Sequence, residues 1–252
     1  MRGATLNPAF HPLAFHWRQA HEHRRRPRLH GHRVAHGLPR ERAPRLGFLR
    51  PQAGAVPPYR PARRLRHPAA LGRIETAGSF VFTSNVDGHF QRAGFSPQRI
   101  DECHGSIHRL QCLGPCSPAL WPATGLEPAL DEVRCALLGP LPACPYCGGI
   151  ARPNVLMFDD WAWNDTLREQ QAQRCRSWLD GVRRPLVIEI GAGMDIPTVR
   201  HFSQRVVLQH GGSLLRINPR EAQIGELPGV ALAGGALACL AAIDAALAGG
   251  AR

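Results

Sequence analysis

The chain has 252 residues, with 31 Arg and no Lys against 19 acidic residues, a net charge of +12 and eight Cys. That length holds one large domain or two small ones, and no apolar run approaches the roughly 20 residues a bilayer crossing needs. The opening MRGATLNPAFHPLAFHWRQAHEHRRR lacks the apolar core of a secretory signal, so a cytoplasmic protein without a membrane partner is expected. Eight Cys are too sparse for a disulfide scaffold, and clustered cysteines in a reducing compartment read as metal ligands.

The charge is unevenly placed. Residues 1–70 carry 15 Arg, two acids (Glu22 and Glu41), eight His and ten Pro, so the remainder of the chain is close to neutral. Residues 1–78 show neither strand nor helix periodicity, and their proline density interrupts any long helix. They read as a disordered basic leader or as a misread frame of a GC-rich gene. Its Arg clusters could contact nucleic acid through the phosphate backbone.

From residue 79 the pattern changes. SFVFTSN (79–85) reads as a buried strand, and open α/β sheets hold their ligands at the carboxyl end of such strands. A Cys- and Pro-punctuated region (103–149) follows, then an extended run PNVLMFDD (153–160) and a polar helix from about Asn164 to Leu179. RPLVIEIG (184–191) is a second strand running into glycine. A helix opens near Asp195 to Pro197, with Asp195 as its cap and proline in its first turn. GSLLRIN (212–218) is a third strand, and 234–249 is a terminal helix with Leu237, Leu240, Ala241 and Ala245 on one face. Strands alternating with helices predict an α/β fold with a parallel, Rossmann-like sheet. Residues 79–105 and 150–252 are assigned to it, and 106–149 to a small four-cysteine module.

Cys112 and Cys116 form C-x3-C, and Cys144 and Cys147 form C-x2-C, with 27 residues between the pairs. Two such knuckles can close a tetrahedral, structural zinc site. Cys135 is a candidate substitute ligand, and Cys103, Cys175 and Cys239 lack paired spacing.

Four segments stand in a recognisable order: TSNVDGHFQRAGF (83–95), ECHGSIHRLQC (102–112), the cysteine pairs, and IEIGAGMDIP followed by RIN (188–218). Over residues 79–248 the chain resembles the sirtuin family of NAD-dependent protein lysine deacylases. The resemblance implies a transfer of the acyl group of a protein's acyl-lysine to ADP-ribose with release of nicotinamide. His104 would be the general base, which after attack of the acyl oxygen on C1′ takes a proton from a ribose hydroxyl. Ser84, Asn85 and Asp87 would shape the nicotinamide and ribose pocket. Gly191, Ala192 and Gly193 would approach the nucleotide through their backbone, and Asn218 would meet the adenosine ribose. Phe158 would line the acyl-lysine tunnel where the substrate peptide adds as a strand.

The chain also departs from that pattern. Ser84 stands where the family has Gln, Ala192 and Gly193 replace Thr and Ser, and Asp159 replaces Gly. No GAGxSxxSGIPDFR-like loop precedes Phe80, so the parallel sheet is expected to be incomplete at its N-terminus, with NAD binding weakened or lost. The competing expectation is a non-catalytic, zinc-stabilised binding protein, or a gene remnant, whose basic leader touches nucleic acid.

Overall fold

The computed structural model describes residues 78–126, 130–131 and 136–249. The basic leader and Cys135 lie outside these residues. The described residues form two compact units, one within 108–164 and one combining 78–107 with 165–249.

The second unit is α/β and starts with a parallel pair. Strand β1 (Val81–Thr83) aligns with β2 (Ile100–Glu102), with Val81 opposite Ile100 and Thr83 opposite Glu102. The short helix α1 (His89–Arg92) and a 3-10 turn at Pro97–Arg99 carry the chain between them. Ile100 is fully buried and packs with Val81 and Phe95 against Phe90 and Ala93. Apolar burial of this kind contributes about 25 cal/mol per Å² removed from water, which is how two three-residue strands can be held.

Helix α2 (Thr166–Asp180) buries Gln171, Ala172, Cys175 and Leu179, a stripe spaced at i, i+1, i+4 and i+8 on one face. Cys175 and Leu179 pack with Val206, Phe80, Trp178, Val187 and Phe202. Strand β8 (Leu186–Ile190), helix α3 (Thr198–His210), strand β9 (Ser213–Ile217) and strand β10 (Gly229–Leu232) then form a second parallel sheet of order β10-β9-β8. Helix α4 (Ala236–Gly249) ends the unit. Phe82 of β1 stacks on Phe202 of α3 with ring centroids 3.8 Å apart. Among the described residues no ladder joins the β1–β2 pair to the three-stranded sheet.

In the first unit, β4 (Trp121–Pro122), β3 (Gly105–Cys112, entering from His108) and β7 (Ala151–Val155) form a three-stranded sheet in that order, with β3 and β4 antiparallel. Strands β5 (Leu130–Asp131) and β6 (Ala136–Leu137) form a separate antiparallel pair. No helix among the described residues is long and apolar enough to cross a membrane.

Several local expectations change. The strand read over 79–85 pairs only from Val81 to Thr83, and the run at 153–160 is a strand only to Val155, because it then turns through Asp159 at φ 56°. Asp195 does not cap α3. Pro197 occupies the N-cap, outside the first turn, with no side-chain bond. On α4 only Leu240 of the expected face is buried, while Leu237 is 45% exposed.

Asp101 of β2 is 1% exposed, and its Oδ1 lacks a hydrogen-bond partner. Burial pushes its carboxyl up to about 6, the Arg168 guanidinium opposing. The folded chain therefore holds a proton that the unfolded chain has lost between its ordinary value and about pH 6, and the folded state is penalised above that window. Asp101→Asn should stabilise the protein by about 1–3 kcal/mol at pH 8, with the gain shrinking towards zero near pH 4. Denaturant midpoints at both pH values check this, and an equal gain at both would refute the buried charge as its cause.

Candidate active site and metal centre

The backbone hydrogen bonds of the β1–β2 pair continue past the strand ends. The Cys103 amide donates to the Thr83 carbonyl at 2.9 Å, and the Ile107 amide to the Val86 carbonyl at 3.0 Å. These two bonds bracket His104 and hold its turn beside Ser84, Asn85 and Asp87. Gly105 takes φ 79° immediately after His104, a left-handed conformation that costs glycine little. Burial, and secondly the Arg168 guanidinium, hold His104 below the ordinary imidazole value, so the ring is neutral and able to accept a proton at pH 7.

The 83–87 turn is fixed by short-range bonds. The Asn85 amide donates to Thr83 Oγ1 at 3.1 Å, and Asn85 is itself exposed. Asp87 Oδ1 accepts from the His89 amide at 3.0 Å, and Oδ2 lies 3.2 Å from His89 Nδ1. Arg92 donates to the Asp87 carbonyl at 2.6 Å. Behind β2, the Glu102 amide donates to Gln171 Oε1 at 3.0 Å, anchoring the strand end from which His104 projects.

A second group of turns follows β8 and β9. Gly191 adopts φ 68°, and its amide donates to the Ile217 carbonyl at 2.9 Å. Open space lies where side chains on Gly191 and Gly193 would stand, a backbone cradle of the kind that admits a phosphate or ribose closely. Asn218 is 6% exposed. Its Nδ2 donates to the Ala192 carbonyl at 3.0 Å, and its Oδ1 accepts from the amides of Arg220 and Glu221, each at 3.0 Å. Asn218 thus ties the β9 turn to the β8 turn. Arg200 was not foreseen from sequence. It is buried in α3 and donates to the Ala192 carbonyl at 3.0 Å and the Glu221 carbonyl at 2.6 Å. Nothing about an isolated Arg in PTVRHF marks it as a turn support.

In the other unit the four sulfurs of Cys112, Cys116, Cys144 and Cys147 lie within 4.8 Å of one another. Cys112 and Cys147 are 3.7 Å apart and Cys116 and Cys144 3.6 Å, against an edge of about 3.8 Å for a tetrahedron with Zn–S bonds of ~2.3 Å. The second knuckle is closed by Gly148 donating to the Cys144 carbonyl at 2.9 Å. Desolvation raises the Cys144 thiol, but hydrogen bonds from the Tyr146 and Cys147 amides and with the Cys116 and Cys147 sulfurs together outweigh it and bring the group down to about 7. Hydrogen bonding to the Cys147 sulfur pushes Cys116 up to about 12. The donor set, spacing and burial fit one zinc ion.

Phe158, 59% exposed, is held in the same unit by an ion pair beneath its turn. Arg152 donates to both Asp160 oxygens, at 2.6 and 2.9 Å, with side chains 1% and 0% exposed. Gln111, Asn154 and Asn164 share a buried amide network, Asn154 donating to Gln111 Oε1 at 2.8 Å.

A Sir2 family model matches residues 64–182. An NAD-dependent protein deacylase of Pseudomonas aeruginosa is 31% identical over 153 residues, covering 60% of this chain and 54% of the relative. One from Pyrobaculum aerophilum is 29% identical over 167 residues, covering 66% and 58%. A crystal structure of a Sir2 homologue in complex with NAD superposes with a TM-score of 0.55 at 22% identity, over 75% of this chain and 66% of that one. At that identity the likeness is one of fold. The chain spans about half the length of the relatives it matches. The chain is thus similar to the Sir2 family over residues 64–182 and shares its fold with Sir2 homologues.

Proposed function

We propose that this protein is an NAD-dependent protein lysine deacylase with His104 as its general base. The observation that carries the reading is the pair of backbone bonds, Cys103 to Thr83 and Ile107 to Val86, that hold the His104 turn against the Asn85 turn at the carboxyl ends of two parallel strands. That end of a parallel sheet is where such folds bind ligands. NAD, when bound, supplies an activated C1′ from which nicotinamide departs and to which the acyl oxygen adds.

The chain's own groups then have separable tasks. Neutral His104 accepts a ribose hydroxyl proton and can return it, since burial disfavours its charged form. Ser84, Asn85 and Asp87 shape the nicotinamide and ribose end. Gly191, Ala192 and Gly193 offer backbone and open space to the rest of the dinucleotide, with Asn218 and Arg200 holding their turn. Phe158 meets the acyl-lysine of a protein substrate, positioned by the Arg152–Asp160 pair. Cys112, Cys116, Cys144 and Cys147 hold a structural zinc. A cytoplasmic location goes with this reading, because zinc-ligating thiols must stay reduced.

A second reading, a non-catalytic zinc-stabilised protein, is favoured by one feature: every polar atom of the Asn218 side chain is engaged by the chain. Its nucleic-acid contacts would rest on the leader. Calorimetry with NAD separates the readings, because saturable binding supports the enzyme and its absence supports the alternative.

Two outcomes are expected. Nicotinamide release from NAD will require an acyl-lysine peptide and will fall by about 10²–10⁴-fold in His104→Ala. In the parent, kcat/KM will rise with pH through a midpoint below the ordinary imidazole value, because the protonated ring is inactive. Retention of activity in His104→Ala would remove the assigned role. Metal analysis of purified protein should give one zinc per chain, with Cys147→Ser below half occupancy and a lowered melting temperature. A metal-free protein with an unchanged melting curve after chelation would contradict the zinc assignment.

A further inference from the structure

A second cavity lies within the α/β unit at the opposite end of the β1–β2 pair from His104. Phe80 immediately precedes β1 and Arg99 immediately precedes β2, so both stand at the strands' amino ends. The Asn85 and His104 turns follow the carboxyl ends. The cavity has a volume of about 580 Å³ and is lined by Phe80, Gln98, Arg99 and a face of α2 comprising Gln170, Gln173, Arg174, Ser177 and Trp178. The α2 positions follow i, i+3, i+4, i+7 and i+8, a single helical stripe.

Its chemistry is specific. Among the described residues, two guanidiniums and no carboxylate line it. Arg174 lines the cavity with its Nε buried and without a hydrogen-bond partner. The Arg99 guanidinium lies over the Trp178 ring, 5.6 Å from its centroid, and Phe80 lies 5.5 Å from the same ring. Gln98, Gln170 and Gln173 each offer a donor and an acceptor. Two positive charges match a dianionic phosphate. Amides beside an aromatic wall match the mixed polar edge and flat face of a base. The volume falls within the ~300–1,000 Å³ common for small-molecule pockets.

We propose that this cavity is a mononucleotide site, with Arg99 and Arg174 holding the phosphate and the base set among Phe80, Trp178 and the glutamine amides. It is separate from the active-site turns and does not depend on the deacylase reading.

The test is calorimetry of the full, zinc-loaded chain with AMP, adenosine and a single-stranded oligonucleotide, coupled to photolabelling with 8-azido-AMP and peptide mapping. AMP should bind saturably and at least about tenfold more tightly than adenosine. Arg99→Met and Arg174→Met, which keep the aliphatic stems, should each weaken AMP by about tenfold or more with unchanged circular dichroism and melting. The label should fall on peptides holding Phe80 or Trp178. The proposal is overturned by no AMP binding, by adenosine binding as well as AMP, or by AMP binding indifferent to both substitutions. Labelling confined to 191–218 would assign AMP to the other turns, and tighter oligonucleotide binding through the same arginines would assign the cavity to nucleic acid; either overturns it.

Discussion

Everything proposed for the active site depends on the parallel pairing of β1 with β2 and on its continuation into the turns beyond. Three residues on each strand are in register, and two further backbone bonds clamp the 103–107 segment to the 83–86 segment. A general base is useful only when it is held to within a fraction of an ångström of the proton it takes. Short strands supply little rigidity by themselves. Here it comes from the fully buried Ile100 and from Gln171, which reaches from α2 to the Glu102 amide. The His104 turn is therefore set by one ladder, one apolar cluster and one helix.

The remaining functional turns are supported by buried arginine. Arg200 reaches the Ala192 and Glu221 carbonyls, Arg152 grips Asp160 beneath Phe158, and Arg216 pairs with Glu189 across β9 and β8 with Nε to Oε1 at 2.6 Å. Ion pairs at this depth recover in attraction about what they lose in desolvation. Their effect is more on geometry than on net stability: a guanidinium has five donors in a fixed plane and can bind several turns at once. Breaking one partner would leave a buried charge, so each pair is more costly to damage than it was to form.

How much was legible follows from the range of the signal. The cysteine knuckles were readable because thiol spacing encodes ligand geometry within a few residues, and the four sulfurs do converge. Strands β8 and β9 were readable because their apolar runs extend over five residues, and helix α2 because a long polar stretch follows without proline or glycine. Strands β2 and β10 were missed: IDE and GVAL carry no lasting alternation and exist as strands because β1 and β9 lie beside them. The α4 face was misjudged because an alanine-rich helix has apolar residues on every side, so the sequence cannot mark which side is covered.

The sequence by itself determined the kind of chemistry available. A histidine in an HG pair, small residues after an apolar strand and two thiol pairs are local facts, fixed by residue identity and order. The tertiary structure alone decided which polar groups are spent on the chain and which face open space. Asn218 is consumed by the Ala192, Arg220 and Glu221 backbone, whereas Gly191 and Gly193 open onto a cradle. It alone also brought Arg99 and Arg174, 75 positions apart, to one cavity with Trp178. The reason is that burial and hydrogen-bond satisfaction are properties of neighbours distant in sequence, which no local pattern encodes.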